Sequence, residues 1–180
     1  MTMKEDPELT AKDAHAGAQG EKVHLVTELA ALLLAQKATM TTAESCTGGL
    51  IAGALTDMPG SSTWFEQSVV TYSNRAKQQL LGVPADIFEQ HGAVSEPCVL
   101  AMAQGAQRQS GATIAVSASG IAGPGGAVPG KPVGTVWLGW SVAGQLSAEL
   151  LHLQGDRLAV REQAVLHALR GTIARIRNRE

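Results

Sequence analysis

The chain has 180 residues, a formal net charge of -2 and a 44% hydrophobic share, which fits one domain with a real core. Aromatic residues make up 3% and Tyr72 is the only tyrosine, which argues against a base-stacking surface for nucleic acid, as does the slightly acidic balance. No apolar run reaches the length of about 18 residues that a membrane span needs. The polar N-terminus lacks the apolar stretch of a signal peptide, so a cytoplasmic protein is expected.

In chain order, residues 1–21 are charged, rich in Ala and Gly and without period, and read as a flexible tail preceding a domain over 22–180. Val23 to Gln36 carries the apolar spacing of a helix, with Val23, Val26, Leu29 and Leu33 on one stripe. A strand is predicted up to Thr42. A helix is predicted from about Cys46 to just before Pro59-Gly60. The β-branched run Ser68-Val69-Val70-Thr71-Tyr72 predicts a second strand. A helix capped by Ser73 or Asn74 then runs to Gly82, and a helical turn covers Pro84 to Gln90. Ser95 caps the next helix, which buries Val99, Met102, Ala103 and Ala106 and stops at Gly111. Thr113 to Ser117 is a short strand, and Val133–Ser141 and Leu146–Leu153 form a hairpin around Ala143-Gly144. Asp156 caps a long final helix with Val165, Ala168, Leu169, Ile173 and Ile176 on its apolar face. The pattern predicts a single compact α/β domain, a mixed β-sheet with helices packed on its faces.

Chemistry concentrates around Ser45. It follows a short β-type run and precedes Cys46-Thr47-Gly48-Gly49, where two glycines stand at an expected helix start. Bare backbone there suits close approach of a ligand, and free N–H groups at a helix start suit a negative charge. Ser45 reads either as a nucleophile or as an ordinary N-cap. A nucleophilic serine needs a base. His91 lies in a loop and has no spacing that marks a triad, and His24, His152 and His167 are formal candidates. Lys77 falls in the first turn of a helix, where the macrodipole disfavours a cation, and burial acts the same way, so a neutral amine is one reading and a solvated surface lysine the other. Tyr72 can bond the serine or relay its proton, or simply pack. Cys46 is a rival nucleophile or a small buried apolar residue. The stretch Ser119-Gly120-Ile121-Ala122-Gly123-Pro124-Gly125-Gly126 matches neither phosphate-loop pattern, yet sits at a strand end, as a ligand crevice or a connector. The histidines never fall at metal-ligand spacing and Cys46 and Cys98 form no C-x-x-C, so no metal, cofactor or disulfide is expected.

These blocks together resemble the CinA C-terminal domain family. The resemblance is carried by Thr41-Thr42-Ala43-Glu44-Ser45-Cys46-Thr47-Gly48-Gly49, Pro59-Gly60-Ser61-Ser62, Val70-Thr71-Tyr72-Ser73-Asn74 with Lys77, and His91-Gly92-Ala93-Val94-Ser95-Glu96. It continues in order through Ser119-Gly120-Ile121-Ala122-Gly123-Pro124, Lys131-Pro132-Val133-Gly134-Thr135-Val136 and Gly155-Asp156-Arg157. The resemblance implies a nicotinamide-nucleotide amidase, which converts nicotinamide mononucleotide to nicotinate mononucleotide and ammonia. It implies Ser45, Tyr72 and Lys77 as the catalytic residues, a compact α/β fold and association into homo-oligomers. Family members often carry a further N-terminal domain, and this chain is expected to be a stand-alone form.

The expected chemistry is an acyl-enzyme route. Lys77 takes the proton of Ser45, and N–H groups around Cys46 to Gly48 hold the oxyanion. Substrate is expected on Cys46, Thr47, Gly48, Gly49, Ser119, Gly120, Gly123 and Arg157. The phosphate is assigned first to the Ser119–Gly126 loop and second to Arg157 and Arg161. The alternatives are a non-catalytic nucleotide-binding or regulatory module, and an amidase for another small amide such as free nicotinamide.

Overall fold

In a computed structural model, residues 7–178 are described, with the side chains of 7–16 set aside. Five strands form one sheet in the order β2-β1-β3-β4-β5. They are β1 Met40–Glu44, β2 Phe65–Val70, β3 Ile114–Gly120, β4 Thr135–Val142 and β5 Gln145–His152. β1 runs parallel to β2 and to β3, while β3, β4 and β5 are antiparallel, so the sheet is mixed as predicted. The central strands are buried on both faces: all five residues of β1 are, including Thr41, Thr42 and Glu44.

Six helices cover the sheet. α1 (Pro7–Ala35), α2 (Leu50–Thr56) and α6 (Arg157–Arg177) share one core with the strands, centred on Leu29, Leu33, Ile51, Leu55, Trp140 and Leu169. α3 (Asn74–Leu81), α4 (Ala85–Gln90) and α5 (Glu96–Ser110) build a second cluster around Ala43, Leu81, Cys98, Met102 and Ala106. The local start and stop signals act as read. Ser73, Ser95 and Asp156 each accept a hydrogen bond from the N–H three residues on, and Gly82 and Gly111 close their helices in the left-handed conformation.

Three elements differ from the sequence-based expectation. The tail expected over 1–21 is helical from Pro7 onward, continuous with the helix expected from Val23, while residues 1–6 lie outside the described residues. Between Pro7 and Gly20 the chain has four alanines and no further proline. Lengthening an existing helix costs far less than starting one, so this stretch continues the packed part of α1 backward. Glu21 is held by the Arg170 guanidinium on α6. The second difference is α2, which begins at Leu50 rather than near Cys46. Gly48 and Gly49 have φ of 62° and 95°, a left-handed path that lies outside the helical turns, so the helix starts only after Gly49. β2 also begins three residues earlier than its β-branched run, because the Phe65 end pairs with Met40 of β1.

Candidate active site

Three parallel strands end side by side, and their ends make the site. Beyond β1 the ladder continues for one residue on each side: Ser45 N–H donates to Ala118 O at 2.9 Å, and Thr71 N–H donates to Glu44 O at 2.8 Å. Ser45, Thr71-Tyr72 and Ser119-Gly120 are thereby brought to one edge of the sheet, the carboxyl end where open α/β sheets bind ligands. A cleft of about 210 Å³ opens there. Ser45, Cys46, Tyr72, Lys77, Ser119 and Arg157 line it, with Asn74, Ala93, Val94, Gly120 and Ala122. Its basic side chains are Lys77 and Arg157, and no carboxylate lines it.

α3 starts directly after β2, so the side chain of Lys77 turns back toward the strand ends. Its Nζ lies 2.9 Å from Ser45 Oγ and 2.8 Å from Thr71 O. Lys77 is 1% exposed and Ser45 8%. No carboxylate faces the amine, and burial pushes the Lys77 ammonium below the usual lysine pKa. Of the two readings of Lys77, the buried one holds. The loop histidine does not compete: the His91 carbonyl accepts from Lys131 Nζ, and no imidazole lines the cleft. Cys46 is buried at 5% exposure, and burial lifts its thiol to about 11, so it stays protonated at neutral pH.

The turn after Ser45 is held from both sides. Glu44, fully buried at the end of β1, folds its carboxylate under the start of α2. Its oxygens accept from Gly49 N–H at 3.0 Å, Ile51 N–H at 3.1 Å and Ala52 N–H at 2.8 Å, with the Thr42 hydroxyl at 3.3 Å. Each of those amides, buried without an acceptor, would cost about 1–3 kcal/mol. On the other side Arg161 of α6 donates from Nε to Cys46 O at 3.1 Å and from Nη2 to Thr47 O at 2.9 Å. Gly48 N–H closes the turn onto Ser45 O. These contacts revise the ligand role expected of the glycines. Gly49 N–H is taken by Glu44, and a side chain on Gly48 would meet Arg161 rather than a ligand. Thr47 is fully buried, and none of Thr47, Gly48 and Gly49 lines the cleft. Arg161, expected as a second choice for the phosphate, does not line the cleft, whereas Arg157 does.

The opposite wall is the Ser119–Gly126 loop. Ser119 Oγ donates to Ala93 O at 2.8 Å, which fastens the 91–95 segment to β3. Gly120 leaves room for β4, since a Cβ there would come within 2.7 Å of Val136, and at Gly123 a Cβ would come as close to Val133. Arg157 spans the cleft mouth: Nη1 donates to Gly123 O and Nη2 to Tyr72 Oη, both at 2.8 Å. Tyr72 is 63% exposed, so it is not a packed core aromatic.

The family model of the CinA C-terminal domain matches residues 22–176, nearly all of the described chain. The chain belongs to this family. Among CinA C-terminal domain relatives, the Pseudomonas putida protein named nicotinamide-nucleotide amidohydrolase PncC is 54% identical over 83% of this chain and 93% of its own length. The Escherichia coli K12 protein of the same name is 51% identical over 83% of this chain and 91% of its own. In three dimensions a Klebsiella pneumoniae protein described as a competence-damaged protein (CinA) superfamily member superposes with a TM-score of 0.85. It is 39% identical, and the match covers 87% of this chain and 98% of that one. The single α/β domain with a mixed five-stranded sheet is thus the CinA-superfamily fold.

One group that shapes this CinA C-terminal domain site was not singled out from the sequence: Glu44, whose signal is a carboxylate at the end of an otherwise uncharged strand, Met40-Thr41-Thr42-Ala43. Arg161 was expected as a second choice for the phosphate, and its contact with the Cys46 and Thr47 carbonyls has no signal in the sequence.

Proposed function

We propose that this chain is a nicotinamide-nucleotide amidase, a hydrolase of an amide C–N bond, working through Ser45 and Lys77. The observation that carries the reading is the 2.9 Å approach of a buried lysine amine to a buried serine hydroxyl at the floor of a cleft without carboxylates. The amidohydrolase name of relatives above 50% identity over most of the chain supports it. Residues 22–180 are taken as the amidase domain.

In this mechanism the neutral Lys77 donates to Thr71 O and accepts the Ser45 proton while Ser45 Oγ attacks the carboxamide carbon. The amine and hydroxyl are in direct reach, so no relay through Tyr72 is required. The negative oxygen of the tetrahedral intermediate is received by the N–H of Cys46, the one residue of the turn after Ser45 that lines the cleft, since the N–H groups of Gly48 and Gly49 are already engaged. The protonated Lys77 returns its proton to the leaving nitrogen and ammonia departs. Water then attacks the acyl carbon and gives a proton to Lys77, and as the acyl–Oγ bond breaks Lys77 returns that proton to Ser45 Oγ, releasing the nicotinate product.

Arg157 is assigned to the substrate phosphate, with Tyr72 holding its guanidinium at the cleft mouth. Replacing Arg157 by Ala is expected to raise KM for the nucleotide about 10-fold or more and leave kcat within about threefold. An unchanged KM removes Arg157 from the phosphate site. Ammonia release from nicotinamide mononucleotide, with free nicotinamide in parallel, tests the whole reading. Release from the nucleotide supports it, release from the free amide alone changes the substrate, and release from neither leaves a non-catalytic domain.

A cytoplasmic location goes with this reading, as Cys46 and Cys98 are both free and buried and ask for no oxidising compartment. Among the described residues no helix is long and apolar enough to cross a membrane. Association of two copies belongs to it as well. Among the described residues β5 pairs with β4 alone, and it contains neither Pro nor Lys and exposes Leu146 and Leu150. Paired antiparallel about Ala148, two β5 strands set each Leu146 opposite a Leu150 and put no like charges face to face. A light-scattering mass of one chain would dismiss this contact.

A further inference from the structure

Hydrolysis of an amide does not return this cleft to its starting charge. Amide and water give a carboxylate, ammonia and a proton, and the proton needs a base where the acid forms. When the acyl–Oγ bond breaks, the product is a carboxylic acid beside Ser45 Oγ, which lies 2.9 Å from Lys77 Nζ. No carboxylate or imidazole lines the cleft, and its other basic side chain, Arg157, is a guanidinium that keeps its proton. The titratable groups that face Lys77 are the thiols of Cys46, on the turn after β1, and Cys98, on α5. Burial lifts both thiols to about 11, so each already holds its proton. From the end of β2 the amine meets the Thr71 carbonyl, and Arg157 and Tyr72 stand bonded to each other at the mouth.

The amine of Lys77 is therefore the base that meets the new acid. It is 1% exposed, and burial without a facing anion is what holds it neutral. A carboxylate formed beside it removes that condition, because an adjacent anion favours the ammonium. The acid proton passes to Nζ, and the two charges face each other at the cleft floor. Pulling the carboxylate out of such a pair would leave a buried ammionium without a partner, which is costly until the amine gives up its proton. The amide substrate has no charge at that atom.

We propose that the acid product is held as an ion pair with the Lys77 ammonium, so that its release is coupled to loss of a proton and the acid becomes a stronger inhibitor as pH falls. One proton converts the same cleft from an amidase into a carboxylate receptor. The proton and the carboxylate each raise the affinity for the other by the same factor. The ion pair presupposes the amidase reading, in which Lys77 is the neutral base.

Nicotinate mononucleotide and nicotinamide mononucleotide share ring, ribose and phosphate, so comparing them isolates the carboxylate. In the unaltered protein the inhibition constant of the acid is expected to fall by up to about tenfold per pH unit as pH is lowered toward the midpoint of the activity profile, and to level off below it. Ser45→Ala keeps Lys77 and spares the amide from turnover. Calorimetry on it in buffers of different ionisation enthalpy is expected to count about one proton more taken up per acid bound than per amide bound, above that midpoint. In Lys77→Met the acid and the amide are expected to show the same pH dependence of binding. Benzoate and benzamide carry the comparison to ligands without a nucleotide. Relative to protein without ligand at each pH, benzoate is expected to slow fluorophosphonate labelling of Ser45 increasingly as pH falls, and benzamide by a constant factor. Protein that is labelled at Ser45 yet releases no ammonia from the nucleotide refutes the substrate reading, while the benzoate comparison still decides the ion pair. Equal pH dependence for acid and amide in the unaltered protein, no extra proton taken up, a difference that survives in Lys77→Met, or benzoate that protects no better than benzamide at low pH overturns the ion pair.

Discussion

Ser45→Ala is expected to lower kcat for ammonia release by about three orders of magnitude or more, with KM for the nucleotide within a few-fold. The hydroxyl is buried, points at Lys77 and lies at the floor of the cleft, so its loss removes the attacking atom and little of the binding surface. The neighbouring thiol offers no second route. Cys46 is the next residue in the turn, but burial keeps its proton on to about pH 11, and the Lys77 amine is bonded to the serine rather than to the sulfur. A residual rate from water in the cleft is expected, because the backbone donors remain. Near-normal turnover by Ser45→Ala would end the serine mechanism.

Loss of the amine should be as damaging. Lys77→Met and Lys77→Arg are each expected to lose about 10³-fold in kcat, and Arg gives no rescue because guanidinium does not release its proton in this pH range. The pH dependence has a defined sign. In the proposed mechanism Lys77 works as the neutral amine, so activity in the unaltered protein is expected to rise with pH through the lysine pKa, and burial places that rise below the ordinary lysine range. Stability carries the same signature. The unfolded chain binds a proton at Lys77 over the interval in which the folded chain does not, so the folded protein gains stability as pH rises through that interval and loses it as pH falls. Lys77→Met has no such proton to exclude. Its melting temperature relative to the unaltered protein is therefore expected to climb as pH is lowered from the ordinary lysine pKa of 10.5 through the lowered value of the folded protein. A difference independent of pH would mean that Lys77 is charged in the fold.

The parts of this structure that could be read from the chain are those decided within a few residues. Ser73, Ser95 and Asp156 cap helices because a short oxygen-bearing side chain three residues before a free N–H is a local matter. The buried stripe of α5, Val99-Met102-Ala103-Ala106, follows from helical spacing alone. Ser45 and Lys77 were legible as chemistry, but not as a pair. They are 32 positions apart and meet only because β1 and β2 run parallel and adjacent, so that both strands end at the same edge. What stayed illegible needed a partner from elsewhere. The path of Gly48-Gly49 looks like a helix start until Glu44 is seen to occupy the donors and Arg161 the carbonyls. The helicity of Pro7 to Gly20 depends on a neighbouring segment already wound, and no window confined to those residues displays it.

The Glu44 carboxylate has a consequence for how the cleft behaves between turnovers. Many anion-recognising loops stay slack until a phosphate or carboxylate arrives, and each binding event then bears the entropy of ordering them. Here an internal anion is covalently supplied, one residue before Ser45, at an effective concentration no free solute could match. The turn that carries Ser45 is thus ordered by groups of the chain itself, and its shape does not depend on an anion arriving from solution.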